Sequence, residues 1–315
     1  VRELVLPDPP PSSASRETLE YLASPEARAS LAVDVYWPKW RAPWWRLSLL
    51  DELGALASAP DGSFDALARA VLAVPERRFP LTPDIDDPQA FCHCALGNFL
   101  RMLSASSSGA MVEFGWALDW FVEYQMADGG YNCDESAYAV RGECPSSMVA
   151  TVAALEALTG QSQYAATARR AAACLLRREL RHGSDTHHNA EERASAARWS
   201  QLMFPRFYHY DVLRGLEAVV RWASVHDERL PWAAIEAVWR ELSRRFPDGV
   251  AHAERRAFEG HMTKLRGGEV TRVPAESFAL LDAVSALGPS RYLTQRWARC
   301  RAELEALRAR GSLVT

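Results

Sequence analysis

An apolar helical segment follows a proline five times in this chain, and that recurrence limits the fold more than any single motif does. The spacing predicts helices over 44–56 after Pro43, 91–103 after Pro88, 148–158 after Pro145, 208–219 after Pro205 and 278–287 after Pro274. Proline is tolerated in the first turn of a helix, where its missing N–H would have no partner in any case. The prolines recur at intervals of about 45 to 70 residues, longer than a bare solenoid helix pair because loops are inserted. Each segment is apolar on most of its faces, as in Leu47, Leu49, Leu50 and Leu53, or Leu213, Leu216, Val219 and Val220. A helix buried all round belongs in an inner layer.

Between these segments lie amphipathic stretches studded with arginine, about 64–74, 111–124, 164–180, 233–246 and 292–308. They suit an outer layer, apolar inward and charged outward. The alternation predicts an all-α protein, an α/α toroid (barrel) of five to six inner/outer helix pairs over residues 43–315. Residues 1–42 read as an N-terminal arm, broken by Pro7, Pro9, Pro10 and Pro11, with a short helix over 15–22. An irregular bundle or an α-solenoid is the alternative, and the latter would show shorter, more even repeats. Two long polar stretches, 181–198 and 251–273, read as loops long enough to be functional.

Composition adds exclusions. With 315 residues, 48% of them apolar, the chain can bury one large core or two modest ones. A net charge of −4 argues against a nucleic-acid footprint. No apolar run approaches the roughly 20 residues of a membrane-spanning helix, and the N-terminus lacks a signal-peptide pattern, so a cytoplasmic location without a membrane span is expected. Six cysteines in a chain this long do not make a disulfide scaffold; clustered ones suggest metal or reactivity.

The most informative segment is 125–158. Asp128-Gly129-Gly130 supplies the positive-φ positions of a helix-stopping turn, and Pro145-Ser146-Ser147 fits the start of the next helix. Within it, Gln125-x-x-x-Gly129-x-Tyr131 resembles the Q-x-x-x-G-x-W repeat of squalene-hopene cyclases, with tyrosine for tryptophan. That family shares its α/α toroid with the β subunits of protein prenyltransferases. Asp84-Ile85-Asp86-Asp87 resembles the D-x-D-D acid motif of the cyclases, which implies Asp86 as the acid, tuned by Asp84 and Asp87. Protonating an alkene needs a carboxylic acid kept neutral among other carboxylates. The same four residues also read as a solvated, capping acidic turn.

A second constellation is Cys133, Cys144 and His209. Tyr208-His209 resembles the Tyr-His that supplies a zinc ligand in prenyltransferase β subunits, and Cys144 stands where that family places a ligand cysteine. Glu143 would stand in for its carboxylate. Zinc accepts Cys, His and carboxylate donors and leaves a fourth position open in catalytic sites. The alternative is a core histidine with incidental cysteines. Cys92-His93-Cys94 reads as part of a helix, with the two cysteines on opposite sides and unable to share an ion, while Cys174 and Cys300 read as core. Gly97 suits a close helix approach. The loop with His261, Lys264, Arg266 and Gly267-Gly268 reads as solvated, with an anion-clamping lid as the alternative; His182, His187 and His188 read as no site. Trp44, Trp45, Tyr131, Tyr208 and Tyr210 fall near inner-helix starts, where the resemblance implies substrate-binding π faces and the default is core.

The expected function is cyclisation of an isoprenoid-like or otherwise apolar small molecule, started by the Asp84–Asp87 motif. The alternatives are a zinc-dependent, prenyltransferase-like toroid enzyme using Cys133, Cys144 and His209, and a non-catalytic toroid binding protein. Both enzymes would act on a small-molecule substrate and leave room for a protein partner at the mouth of the ring.

Overall fold

A computed structural model describes residues 9–10, 12–73, 92–106, 108–258, 261–266, 269–274 and 276–314. The Asp84-x-Asp86-Asp87 motif lies outside the described residues. Thirteen α-helices run through the rest: α1 (Ser12–Ala23), α2 (Pro25–Val33), α3 (Pro43–Glu52), α4 (Ser63–Leu72), α5 (His93–Ala105), α6 (Gly115–Glu123), α7 (Met148–Leu158), α8 (Ala165–Arg177), α9 (Ala190–Ala196), α10 (Val212–Val225), α11 (Trp232–Arg245), α12 (Ala279–Val284) and α13 (Arg291–Ala309). The protein is all-α in character, and no helix among the described residues is long and apolar enough to cross a membrane.

The two classes of helix differ in burial as their sequences require. In α7 only Val149 and Glu156 escape full burial, whereas α8 buries only Thr167, Ala168, Ala171, Ala172, Cys174 and Leu175. The helices of the apolar class are neighbours in chain order: α3 packs on α5, α5 on α7 and α7 on α10, while α10 also packs on α13. Arg296 of α13 donates to the carbonyl of Glu52 at the end of α3 (3.3 Å). The N-terminal helices belong to this body, since α1 packs on α12, α2 and α3; α2 was not expected, although Ser24 caps it and Pro25 opens it.

Where α5 and α7 cross, a Cβ on Gly97 would stand 2.6 Å from the carbonyl oxygen of Ala153. The glycine is there for helix approach. Gly97→Ala is expected to cost about 1–3 kcal/mol through overpacking, read as a lower urea midpoint with unchanged helical circular dichroism.

The Gln125–Tyr131 motif is a brace. Gln125 Nε2 donates to the carbonyls of Gly129 and of Thr167 in α8 (both 2.9 Å), and Tyr131 OH donates to the Phe121 carbonyl (2.7 Å). Gly129 has φ +88°, and its Cα lies so close to the Arg170 carbonyl that no side chain fits. The turn after α6 is thereby tied to the next amphipathic helix.

Charged residues cross-link the apolar helices internally. Arg214 of α10, 2% exposed, donates twice to Glu156 of α7 (2.9 and 2.6 Å), once to Asn98 of α5 (2.9 Å), and to the carbonyls of Phe207 and His209 (2.9 and 2.8 Å). Arg101 pairs with Asp51 and, at 3.8 Å, with Glu156. Glu52, at the end of α3, accepts the backbone N–H groups of Arg206 (2.9 Å) and Phe207.

Strands are few. The stretch 251–273, expected as a loop, contains an antiparallel hairpin, His261–Arg266 with Glu269–Pro274, and the other ladders are two residues long. The other expected loop, 181–198, carries α9.

Candidate metal centre

The site begins at the first turn of α5. Cys92 is the residue before the helix, with extended dihedrals (φ −69°, ψ 157°), and Cys94 is inside it. The helical rule that sends i and i+2 to opposite sides therefore does not apply. Their Sγ atoms approach to 3.1 Å, which corrects the expectation that these two cysteines diverge. The Cys94 N–H donates to Cys133 Sγ at 3.3 Å. The three sulfurs lie within 4.8 Å of one another, and no other such group of Cys, His, Asp or Glu occurs among the described residues.

His93, between the two cysteines, assembles the group without joining it. Its Nδ1 bonds the carbonyl of Asn132 (2.8 Å) and its Nε2 accepts from Trp120 Nε1 (3.0 Å). That arrangement fixes the neutral tautomer, and burial holds its pKa down at about 4. Because His93 stands between Cys92 and Cys94 and Asn132 adjoins Cys133, the Nδ1 bond draws the three thiols together. Asn132 is fixed in turn: its side chain donates to the Pro145 carbonyl and to Asn189 Oδ1 (3.1 Å), and its N–H to Tyr138 OH (3.0 Å).

An aromatic wall with one cation stands beside the thiols. Asp34 Oδ1 accepts the N–H groups of Tyr36 and Trp37 (2.8 and 2.9 Å), turning the chain so that Lys39 points back over their rings. Lys39 Nζ lies 4.6 Å from the ring centre of Tyr208 and 5.6–5.7 Å from those of Tyr36, Trp37 and Trp40. It donates to Tyr208 OH at 2.9 Å. Burial pushes this ammonium's pKa down, and the charge of the three cysteines opposes the shift. Hydrogen bonds from Cys133 and Cys94 draw the Cys92 thiol well below its usual range, while Cys133, which gives a bond to Cys92, moves well above. The Lys39 ammonium acts on the same group, favouring the charged form of Cys94.

The residues expected to share an ion do not all meet. Cys133 joins the thiol group. Cys144 lies apart, its Sγ accepting from Asp128 N (3.4 Å), and Glu143 accepts the N–H groups of His187 and His188 (3.1 and 3.4 Å). His209 does not open a helix: α10 starts at Val212, where Asp211 caps it by accepting from Arg214 N (2.8 Å). Its ring stacks on Tyr208 at 4.3 Å, with Nε2 buried and without a hydrogen-bond partner among the described residues. Of the five aromatics, Tyr208 alone borders the thiols from outside the core. Trp44, Trp45, Tyr131 and Tyr210 are at most 1% exposed; Trp45 donates to the Tyr36 carbonyl (2.8 Å) and Tyr210 to that of Leu180 (2.8 Å). Sequence reasoning missed Lys39, although it is one of only two lysines among 36 basic residues and sits in the most aromatic stretch.

His209 gives the protein an acid-sensitive side. Burial, then Lys39, lower its pKa from 6.5 to about 3. The unfolded chain therefore takes up this proton first, so the associated stability is complete above pH 6.5 and declines as pH falls toward 3. The loss is up to about 1.4 kcal/mol per pH unit. Urea midpoints measured at pH 7.5 and 5.5 should show it, and His209→Phe should flatten that share of the slope.

No protein-family model, no curated protein and no solved structure matches this chain. The likeness to cyclases and prenyltransferases stands on its motifs alone.

Proposed function

We propose that this chain is a zinc-dependent enzyme of small-molecule chemistry on an α/α toroid, with the thiolates of Cys92, Cys94 and Cys133 as metal ligands. The observation that carries the reading is the convergence of three thiol sulfurs within 4.8 Å. Zinc holds thiolates at about 2.3 Å, which sets sulfurs about 3.8 Å apart in a tetrahedron, close to what the group offers. Soft donors disfavour magnesium and calcium. Among the described residues the group offers three ligands rather than four, which leaves a position for a reacting group, the mark of a catalytic site. Bound there, zinc would polarise a water or thiol.

The chain's own residues do the rest. Lys39 offsets the excess negative charge that three thiolates leave on a divalent ion. Tyr208 holds Lys39 in place, and the rings of Tyr36, Trp37 and Trp40 limit water around it. The toroid is supported by the neighbour order of α3, α5, α7 and α10. The return to α3 runs through α13, from a stretch expected in the outer layer, by its packing on α10 and the Arg296 bond, while α12, expected next in the inner series, packs on α1.

A second reading is acid-initiated cyclisation of an isoprenoid-like substrate by Asp86 with Asp84 and Asp87. It is favoured by the rings of Tyr36, Trp37, Trp40 and Tyr208, whose faces would stabilise carbocations. Metal analysis of protein purified without added zinc decides the first: about one equivalent is expected, with thiolate-to-metal charge-transfer bands after cobalt substitution. A metal-free protein with six titratable thiols would refute it. Asp86→Asn should leave the zinc content unchanged under either reading and abolish product only under the second.

A further inference from the structure

We propose that Cys92 and Cys94 are a reversible disulfide pair, a modification site that a small-molecule disulfide oxidant closes. The pairing stands on the thiols themselves; only its consequence, loss of the metal, rests on the zinc reading above. The two sulfurs are 3.1 Å apart and unbonded. They need to close to about 2.05 Å, and Cys92, on the extended residue outside α5, can turn without unwinding the helix. Cys133 is the less mobile third sulfur, because it already accepts the Cys94 N–H. The remaining cysteines are differently placed: Cys174 and Cys300 are 1% and 2% exposed, and Cys144 faces Asp128. Cys92 is also the more accessible of the two, half-buried where Cys94 is buried, which makes it the attacking sulfur.

The chemistry balances in two exchanges. Cys92 thiolate attacks one sulfur of the oxidant, the oxidant's S–S bond breaks, and one thiol leaves carrying a proton. Cys94 then attacks the Cys92 sulfur of the mixed disulfide and expels the second thiol with its proton. Two cysteine thiols lose two electrons, and one external disulfide is reduced to two thiols. The site is left with Cys133 alone, too few donors for zinc.

The test treats the full-length, reduced, metal-free protein with oxidised glutathione, followed by alkylation and peptide mapping. Two of the six thiols should disappear, and the peptide holding Cys92 and Cys94 should lose two hydrogens and carry no glutathione. Cys94→Ser should trap glutathione on Cys92, and Cys133→Ser should still form the pair. Zinc binding should be lost on oxidation and return with dithiothreitol. A cross-link to Cys133, glutathione persisting on Cys92 beside a free Cys94, or no reaction would overturn the proposal. If the pair forms but the reduced protein binds no zinc, the pair stands and the metal reading falls.

Discussion

Arg214→Met should destabilise the protein by about 3–5 kcal/mol, the cost of leaving a buried charge without its partner. Arg214 meets the carboxylate of Glu156 with two hydrogen bonds and three other acceptors with the rest. Methionine would fill much of the volume and satisfy none of them. Burial pushes the Glu156 carboxyl up, yet Arg214, by charge and by hydrogen bond, and then Arg101 hold it at about 2. That depression contributes stability present above the ordinary value of 4.5, and it is lost as pH falls from there through 2. Without Arg214 the carboxyl would stay protonated to a higher pH. Arg214→Met combined with Glu156→Leu should recover much of the loss, because the pair is then replaced rather than broken. Urea denaturation of both variants and of Glu156→Leu alone completes the cycle. A double variant no more stable than Arg214→Met would mean that Asn98 and the two carbonyls, not the ion pair, dominate.

Cys133→Ser, Cys92→Ser and Cys94→Ser should each weaken zinc binding by more than the ~10–100-fold that loss of an outer-shell partner costs. Cys144→Ser and His209→Ala should leave it unchanged. The two sets are chosen because they separate ligand assignments: Cys133 belongs to both, while Cys144 and His209 belong only to the prenyltransferase-like one. Isothermal titration with zinc, or competition against a chromophoric chelator, reads the difference. Equal losses in Cys133→Ser and Cys144→Ser, with Cys92→Ser unaffected, would return the ligand set to the one the family likeness implies. His93→Gln is instructive as well: it breaks the bond to Asn132 without removing a thiol, and a moderate loss of affinity would show the imidazole acting through position alone.

The helices were legible because their signals are local. Ser147, whose hydroxyl accepts from Ala150 N at 3.1 Å, and the apolar run behind it place α7 within the residues its periodicity marks. The hairpin was missed: 251–273 was expected as a polar loop, and the alternation of His261–Arg266 and Glu269–Pro274 was hidden by that polar context. The thiol centre was only half visible. Cys133 could be singled out from its loop, but pairing it with Cys92 and Cys94 requires knowing that α5 begins one residue later than Cys92. A one-residue boundary decides whether two cysteines diverge or meet. His93 could not have been assigned at all from sequence, because its partners, Trp120 and Asn132, lie 27 and 39 residues away.

The carboxylate of Glu52 binds backbone groups 154 and 155 residues further along. During synthesis on the ribosome, α3 is complete long before Arg206 and Phe207 emerge, and until they do its last residue has nothing to receive it in a dry interior. The early helices must therefore wait in water, loosely docked, and a product truncated before Arg206 would be a substrate for chaperones and proteases rather than a smaller stable domain.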